Sequence, residues 1–514
     1  MSDQERELKF DIASKDIPGF VAHPLLKKAG NSEHRRQRSV YFDTDDDDLW
    51  QAGAVVRIRY ENGRKVQTVK SGGAAVAATD RDEDERDIDG DIPDLSKTRL
   101  AGVDGRLKKR KLRRLAPRFE VDVDRATWTL HDNSAELEIA LDRGKVAAGS
   151  AASELCEVEV ELKSGDVAVL YQIARRLGAD IPLTLNLVSK GERGYRLLHD
   201  NWRRPQKAGP LSLKRGMGSA DALRTIAGEC MKQFLLNGRL LDGAAPDPEA
   251  LHQARVAIRR LRAALTFFKD VAGDDQSMGL KGELKWLSDL LGDARDLDVL
   301  KSEVIDAAEG SPPGHAELSD EVEHRRREAY RRLSEARNSQ RYRQLLFVFA
   351  EWLDDGDWRK QAEGSAPAQT PIEDFAAKEL KRRIRKLLKR ALHLDELDEK
   401  QHHMVRIDAK KLRYVTEFLG DVYPARKGRL EKVRGALETM QSELGEAHDS
   451  IWAHDFLTDL AQEVPRRNKQ ADGAAMLFAA GEIGRDLERR DKDKLIRRAG
   501  KSARKLANAA PFWR

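Results

Sequence analysis

Glutamates recur at alternating positions near both ends of the first two hundred residues. Glu5 and Glu7 stand in the segment E-R-E-L-K, and Glu157, Glu159 and Glu161 stand in E-V-E-V-E-L-K-S-G. Because side chains alternate between the two faces of a β-strand, each set places its carboxylates on one face. Carboxylates crowded on an inward face repel one another unless cations neutralise them.

Basic residues with the same alternation lie between the two acidic sets. They are Arg57 and Arg59 in V-R-I-R, Lys70 in T-V-K and Arg125 before W-T-L. For one such strand, a solvated face with cross-strand ion pairs is the simpler interpretation. Two acidic strands with basic strands between them favour a pocket instead. A pocket with both signs of charge suits a polyanion bound together with a hard divalent cation, because Mg²⁺ takes carboxylate and phosphate oxygens.

Short strands separated by turn signals must position these residues. The turn signals include E-N-G at 61–63 and D-R-G at 142–144, and residues 166–178 have a helical pattern with Gly178 as the predicted C-cap. Strands that are polar on both faces cannot form the core of a sandwich. The pattern therefore predicts a barrel with a wet interior over residues 1–200.

Beyond a linker at 201–214, residues 215–514 change to amphipathic helical segments, enough for roughly eight to ten helices. The motif H-x-x-R-x-x-x-[RK]-[RK]-L-R occurs at 252–262 and again at 403–413. L-L-G-D-A-R-D (290–296) follows the first copy, and E-L-G-E-A-H-D (443–449) follows the second. This order predicts two repeats, at about 215–365 and 366–514, that form a pseudo-two-fold pair of helical bundles.

Each repeat carries a narrow stripe of cations along one helix face. The stripes are His252, Arg255, Arg259 and Arg262, and His403, Arg406, Lys410 and Arg413. One interpretation pairs them with acids inside the bundle, namely Asp293, Asp296, Glu446 and Asp449. The other is a basic groove that tracks linear polyphosphate, and the duplication favours it. The histidines have no His or Cys one turn away, which disfavours a metal site.

Composition limits the class of protein. The chain has 514 residues, enough for two or three domains, and only two cysteines, so we expect a reduced, cytoplasmic protein. It has no run of eighteen apolar residues and no signal peptide pattern, so we expect no membrane partner.

Residues 1–200 carry a net charge of −3 and the remainder +8. The stripes lack interleaved aromatic residues, which disfavours nucleic acid. Nothing in the residue pattern indicates an oligomeric state.

The ordered motifs resemble two known families. The first two hundred residues resemble a CYTH domain of the triphosphate tunnel metalloenzymes. The motifs are E-x-E-x-K at 5–9, V-R-I-R, Lys70, R-x-E at 81–83, E-x-x-x-D-x-G at 138–144, E-x-E-x-E-L-x-x-G at 157–165 and S-K-x-E-R-G-Y at 189–195. The second half resembles a CHAD domain, a helical module associated with polyphosphate binding. One departure is His448, which stands where the first repeat has Arg295.

The resemblance implies an α+β multi-domain protein: an eight-stranded antiparallel tunnel barrel with helices, followed by an all-α domain. In the tunnel, Mg²⁺ or Mn²⁺ would be held by Glu5, Glu7, Glu157 and Glu159, with Glu83, Glu138 or Asp142 assisting. The triphosphate would be gripped by Lys9, Arg57, Arg59, Lys70, Arg125 and Lys190. Glu5, Glu7, Lys9 and Lys190 are the expected catalytic residues.

The expected activity is the hydrolysis of inorganic triphosphate to pyrophosphate and phosphate, with polyphosphate bound by the helical domain. Two alternatives remain. One is a polyphosphate-binding scaffold whose barrel does not turn over. The other is a CYTH enzyme that acts on an organic triphosphate, either thiamine triphosphate or, as an adenylate cyclase, ATP.

Overall fold

The computed structural model describes residues 6–71, 82–95, 114–132, 135–211, 213–242, 246–308, 312–362, 366–467, 472–488 and 492–513. Glu5 lies outside these residues. The chain divides into two compact units. The first comprises Met1–Gly209, Met231–Gln253 and Ala336–Lys360, and the second comprises Pro210–Cys230, Ala254–Glu335 and Gln361–Arg514.

Alternating patterns in the first two hundred residues produce one antiparallel sheet. Its strands are β1 (Arg6–Asp11), β2 (Glu33–Asp43), β3 (Ala54–Glu61), β4 (Arg64–Ser71), β5 (Asp82–Asp87), β6 (Ala116–Asp132), β7 (Ala135–Ala148), β8 (Ala151–Ser164) and β9 (Thr184–Leu185). The strand order is β5-β4-β3-β2-β6-β7-β8-β1-β9. The sequence predicts eight strands; the ninth is the two-residue β9, which pairs with the end of β1.

Alternation within each strand separates a polar face from a packed face. Val56 and Ile58 of β3 are fully buried. Arg57 and Arg59, which alternate with them along the strand, line a cavity on the other face. The packed face is covered in part by helices, which are α1 (Ile17–Val21), α2 (Pro24–Ala29), α3 (Asp48–Gln51), α4 (Val167–Asp180) and α5 (Lys190–Leu198). Tyr195 of α5 contributes to the core beside β6.

Three glycines test the predicted turns. The E-N-G turn is confirmed, because Asn62 and Gly63 have φ of 49° and 77° between β3 and β4. D-R-G is not a turn but part of β7, where a Cβ on Gly144 would lie 1.9 Å from the carbonyl oxygen of Asp122. Gly178 does not end its helix either, since α4 continues to Asp180. A Cβ there would lie 2.0 Å from Phe347 Cε2, so both glycines permit close packing.

The second half is helical, as predicted. Its described α-helices are α6 (Ser219–Gly238), α7 (Pro248–Phe267), α8 (Lys269–Ala272), α9 (Asp275–Val299), α10 (His315–Arg337), α11 (Gln340–Asp355), α12 (Asp357–Ala362), α13 (Ala366–Gln369), α14 (Ile372–Ala391), α15 (Glu399–Phe418), α16 (Lys427–Arg467), α17 (Asp472–Glu488) and α18 (Lys492–Asn508). The first motif of each repeat lies on α7 and α15, and the second lies on α9 and α16. None of the helices in the described ranges is long and apolar enough to cross a bilayer.

Candidate functional site

Residues from β1 to β8 and the start of α5 surround a cavity of about 1040 Å³ in the first unit. Its lining carries both signs of charge. The cations are Lys9, Arg35, Arg57, Arg59, Lys70, Arg125, Lys163 and Lys190, and the carboxylates are Glu7, Glu33, Glu61, Glu83, Glu85, Glu138, Glu159 and Glu161. Among the described lining residues, Tyr41 is the one aromatic.

Strand register aligns an acidic row across three neighbouring strands. Glu7 of β1 pairs with Glu161 of β8, and Glu161 pairs with Glu138 of β7. All three side chains line the cavity. Glu7 is 7% exposed, and its Oε1 lies 3.0 Å from Lys9 Nζ. Carboxylate oxygens gathered on one face are the ligands that hard divalent cations prefer.

A second acidic group surrounds the ammonium of Lys190. Lys190 Nζ lies 2.7 Å from Asp142 Oδ2 and 2.9 Å from Glu159 Oε1, and it also contacts Glu157. Arg125 donates to both oxygens of Asp142, at 2.7 and 2.6 Å, and contacts Glu159. Oxygens of the three carboxylates lie within 4.8 Å of one another. Lys190 and Arg125 therefore already supply the positive charge that this cluster requires.

Burial and the neighbouring charges determine the pKa values of the cluster residues. Burial alone would raise the pKa of Glu159, but Lys190, Lys9 and Arg125 outweigh burial and hold that pKa well below its usual range. Burial raises the pKa of Glu157, which Lys190 offsets only in part. The pKa of Lys190 is well above its usual value, because its carboxylate neighbours overcome the opposing effect of burial. Lys190 therefore remains an ammonium at neutral pH and cannot act as a base.

The cations of β3 and β4 share few carboxylates. Lys70 Nζ lies 2.9 Å from Glu83 Oε2. Arg57 and Arg59 both approach Glu85 Oε1, at 3.9 and 3.5 Å. Burial and the neighbouring Arg57 lower the pKa of Arg59, and Glu85 compensates only partly. Arg59 Nε also lies 3.6 Å from Glu61 Oε2. Two adjacent guanidinium groups whose carboxylate neighbours lie no closer than 3.5 Å leave positive charge that a bound anion would neutralise.

Helix α5 carries Lys190 to the cavity. Ser189 caps its N-terminus, where its Oγ accepts a hydrogen bond from the Glu192 N–H at 3.1 Å. Arg193 is 4% exposed and its Nη2 lies 3.3 Å from Asp11 Oδ1 of β1. The first turn of α5 is thereby fixed against the strand that bears Glu7 and Lys9.

The cavity brings together most of the residues selected from the sequence. Those that line it are Glu7, Lys9, Arg57, Arg59, Lys70, Glu83, Arg125, Glu138, Glu159 and Lys190. Asp142 and Glu157 do not line it; they are buried at 0% and 1% exposure behind the lining, beside Lys190. The sequence did not single out Arg35, Glu61 and Glu85, and it left the role of Glu161 open. The period-two spacing of Glu33, Arg35 and Gln37 on β2 is the signal that selects Arg35.

The cationic stripes of the second half lie on α7 and α15. The first arginine of each stripe pairs with an aspartate in the same way. Arg255 Nη2 donates to Asp296 Oδ1 at 3.1 Å, and Arg406 Nη2 donates to Asp449 Oδ1 at 3.2 Å. The interpretation of internal pairing thus applies to these two arginines. The other two acids considered for internal pairing, Asp293 and Glu446, are exposed.

Further along the stripes, charge is less well compensated. Arg259 and Lys410 have no carboxylate within 4.0 Å among the residues that the structure describes. Burial, together with Arg259, Arg406 and other nearby arginines, lowers the pKa of Lys410 to about 6. Burial and Arg255 lower the pKa of Arg259 to about 10. Cations that suppress one another in this way favour a bound anion.

The remaining stripe residues lie around this pair. His252 lies near the start of α7 and Arg262 near its end. Arg413 donates to Gln441 Oε1 at 2.8 Å and contacts Glu417. The rings of His403 and His448 have centroids 4.5 Å apart. We refer to the surface formed by the stripe residues of the second unit, from Arg255 on α7 and from His403 on α15, as the groove.

Comparison with known proteins identifies both halves. Residues 3–195 match the CYTH domain, and residues 225–458 match the CHAD domain. The chain is 29% identical over 203 residues to the inorganic triphosphatase of Haemophilus influenzae, which covers 38% of this chain and 55% of that protein. It is also 29% identical over 253 residues to an uncharacterised protein of Mycobacterium tuberculosis, which covers 47% of this chain and 46% of that one. The chain thus spans about half the length of these curated relatives.

A solved structure supports the second match. The crystal structure of the CHAD domain from the plant Ricinus communis is 30% identical, with a TM-score of 0.50, and covers 58% of this chain and 96% of that one. The matches occur in the order that the motifs indicate, so the resemblance drawn from the sequence is confirmed.

Proposed function

We propose that this chain, which belongs to the CYTH and CHAD families, hydrolyses inorganic triphosphate to pyrophosphate and phosphate in its N-terminal cavity. The observation that carries the proposal is the acidic row of Glu7, Glu161 and Glu138 in the same cavity as Arg57, Arg59 and Lys70. A triphosphate carries several negative charges and is cleaved mainly by charge neutralisation and positioning. The cavity supplies both.

The acidic row fits a divalent metal, Mg²⁺ or Mn²⁺, better than the buried cluster does. Lys190 and Arg125, together with Lys9 on Glu159, already pair with Asp142, Glu157 and Glu159. Glu7, Glu138 and Glu161 would hold the metal, with Glu159 beside them. A bound metal supplies Lewis acidity toward phosphate oxygens and lowers the pKa of a coordinated water.

Each wall of the cavity has a role in the reaction. Arg57 and Arg59 bind phosphate oxygens, and Lys70 adds a compact charge. Lys9 bridges Glu7 and Glu159, with its Nζ at 3.0 and 3.1 Å, and so stands where the acidic and basic walls meet. The attacking water gives its proton to a carboxylate of the acidic row as the P–O bond to the leaving pyrophosphate breaks. Lys190, permanently charged, keeps Glu159 ionised and in position.

The lining favours an inorganic substrate over an organic one. A nucleotide base or a thiamine ring is commonly held by stacking on aromatic side chains, and the one aromatic residue in the described lining is Tyr41. Tyr41 is also stacked on Phe119 with ring centroids 4.6 Å apart and is 3% exposed, so little of its ring is available.

A substrate panel tests this function. Phosphate release is measured from triphosphate, ATP, thiamine triphosphate and long polyphosphate, with and without Mg²⁺ or Mn²⁺. We expect metal-dependent release from triphosphate, reduced about 10²–10³-fold by Glu7→Gln and by Lys9→Met, because each change removes a group that acts on developing charge. Glu154→Gln, an exposed change on β8, is the matched control.

The outcomes separate the hypotheses. Normal turnover by Glu7→Gln and Lys9→Met contradicts a role for this cavity. Preferred turnover of ATP or thiamine triphosphate assigns an organic substrate. Absence of all turnover while polyphosphate still binds assigns a scaffold.

We further propose that the groove binds linear polyphosphate. What supports this is the duplicated placement of Arg255 and Arg406 around Arg259 and Lys410, whose charges lack carboxylate partners among the described residues. Titration calorimetry with polyphosphate, in the absence of divalent ions, tests it. We expect Arg259→Glu to abolish binding and Lys427→Glu, an exposed reversal on α16, to leave it unchanged; the opposite pattern contradicts the proposal.

A further inference from the structure

The outer face of α14 concentrates positive charge that neither proposed site uses. Six of its cations are exposed: Lys378, Lys381, Arg382, Arg385, Lys386 and Lys389. Apolar residues such as Phe375, Leu380 and Leu387 occupy its buried face. By order in the repeats, α14 corresponds to α6, which has only Arg224 and Lys232 as cations. The charge of α14 is therefore particular to the second repeat.

Most of this charge is uncompensated. Glu379 is 2% exposed and pairs with Arg382 and Arg383, at 2.6 and 3.0 Å. The other five exposed cations have no carboxylate within 4.0 Å among the described residues. The six exposed cations and Trp513 line a cavity of about 660 Å³. We call this surface the α14 face.

The α14 face begins where the α7 stripe ends. Arg383 Nη2 donates to the carbonyl oxygen of Thr266 at 2.5 Å, and its guanidinium lies 5.4 Å from the centroid of the Phe267 ring. Thr266 Oγ1 donates in turn to the carbonyl oxygen of Arg262 at 2.7 Å. The last cation of the α7 stripe is thus one helical turn from the residue that anchors α14.

Lys411 bridges the two surfaces electrostatically. It follows Lys410 of the groove on α15. Its pKa is lowered by burial and by Arg262, Arg383 and Lys386, which together outweigh Asp408. Cations from α7, α14 and α15 therefore act on one another at this junction, and positive charge continues from the groove to the α14 face.

We propose that the α14 face is an extension site that binds the part of a long polyphosphate chain that leaves the groove. The inference rests on the proposed binding of polyphosphate by the groove. The face adds about 16 Å of cationic helix from Lys378 to Lys389, similar to the about 15 Å from His252 to Arg262. Continuity with the groove favours a single linear polyanion, and the one aromatic residue, Trp513, gives no series of rings for stacking bases.

The test compares two lengths of polyphosphate on the full chain by titration calorimetry, without divalent ions. The short polyphosphate spans less than the length of the α7 stripe, which is about 15 Å. The long polyphosphate is several times longer than the short one. The variant combines Lys381→Glu, Arg385→Glu and Lys389→Glu. The matched control reverses three exposed cations of the first unit, Lys15→Glu, Lys27→Glu and Lys207→Glu. Duplex DNA is titrated in parallel.

We expect the wild-type protein to bind the long chain more tightly than the short one. The α14 variant should lose about tenfold in affinity for the long chain, and its slope of log K against log salt should become less negative by about 2, since three contacts are lost. Its affinity for the short chain should stay within about twofold, which also verifies that the groove is folded. The control should behave like the wild-type protein.

Three results would overturn the inference. They are an unchanged long-chain affinity in the α14 variant, an equal loss for both lengths, and tighter binding of duplex DNA that the same variant abolishes. The last would assign the face to nucleic acid. If the wild-type protein binds neither length, the proposed function of the groove has failed, and the extension fails with it.

Discussion

At the scale of single residues, Lys190 organises the buried carboxylate cluster beside the cavity. Its ammonium contacts Asp142, Glu157 and Glu159, so these three acids are neutralised from within the chain. Glu7 and Glu161, on the neighbouring register row, do not contact Lys190 and instead lie 3.0 and 2.7 Å from Lys9 and Lys163. Lys190 thus belongs to the buried cluster and leaves the acidic row to other cations of the cavity.

Lys190→Met should destabilise the first unit in a pH-dependent manner. In the wild-type protein, Lys190 contributes to lowering the pKa values of Glu159 and Asp142 below their ordinary 4.5 and 3.8. The resulting stability is present above those ordinary values and is lost as pH falls through the lower folded-state values. Breaking such a buried pair costs about 3–5 kcal/mol near neutral pH.

The measurement is the difference in Tm between Lys190→Met and wild type at about pH 7 and about pH 3, because the stabilisation is lost only below the ordinary carboxyl pKa values of about 4. We expect the difference to shrink in acid. Lys27→Met, at an exposed position, is the control. An equal difference at both pH values would show that the ammonium acts through packing and not through charge.

Lys410 should make polyphosphate binding depend on pH. With a pKa of about 6, its amine is largely neutral at about pH 7.5, and a bound polyanion should raise that pKa and draw a proton. Affinity should therefore increase as pH falls toward 6. Burial and Arg406 lower the pKa values of His403 and His448, that of His448 to about 4, so the His448 ring remains neutral in this window.

Calorimetry in buffers of different ionisation enthalpy measures the proton taken up. We expect uptake of up to about one proton per groove at about pH 7.5, abolished in Lys410→Met. Proton uptake that persists in this variant would contradict the assignment to Lys410.

Much of the cavity lining could be predicted residue by residue, because period-two spacing alone assigns side chains to faces. Glu7, Lys9, Arg57 and Arg59 were found in this way. Spacing does not reveal the partner of a carboxylate. Glu157 and Glu159 share a face of β8, yet only Glu159 lines the cavity. The difference arises from the position of α5, which no local pattern determines.

At the scale of elements, close approach of the α5 backbone to a side chain of β6 sets the position of α5. A Cβ on Gly194 would lie 2.1 Å from Phe119 Cε2 of β6. The motif S-K-x-E-R-G-Y thus joins Lys190 to a glycine that allows its helix to lie on the sheet. Helical periodicity indicates the helix, but it contains no information about this contact.

Gly194→Ala should displace α5 and with it Lys190. Overpacking costs about 1–3 kcal/mol, and we expect a lower Tm together with a lower kcat for triphosphate. Gly282→Ala is the control, since a Cβ at this position of α9 meets nothing within 4 Å. It should be neutral or stabilise by up to about 1 kcal/mol. Gly194→Ala with wild-type Tm and activity would contradict the requirement for close packing.

At the scale of the whole molecule, the compact units do not follow the boundaries suggested by composition. Residues 336–360, which the sequence assigns to the helical half, belong to the first unit together with the sheet. The Phe10 and Phe347 rings meet edge to face with centroids 5.3 Å apart, and Tyr171 donates to Asp354 at 2.7 Å. Contacts between residues 183 or more positions apart leave no local sequence signal. The linker and the change in composition therefore mark where strands give way to helices. They do not mark the boundary between the compact units.

Phe347→Ala tests this organisation, because the residue lies in the region that matches the CHAD domain but packs on β1 and Gly178 of α4. Removing a buried phenylalanine costs about 3–5 kcal/mol. We expect the temperature at which triphosphate hydrolysis is half lost to fall by several degrees, while polyphosphate affinity at low temperature is retained. Phe478→Ala, at a 52% exposed position of α17, should change neither. If Phe347→Ala lowers polyphosphate affinity and leaves the thermal inactivation of hydrolysis unchanged, α11 stabilises the helical domain and not the sheet that carries the catalytic cavity.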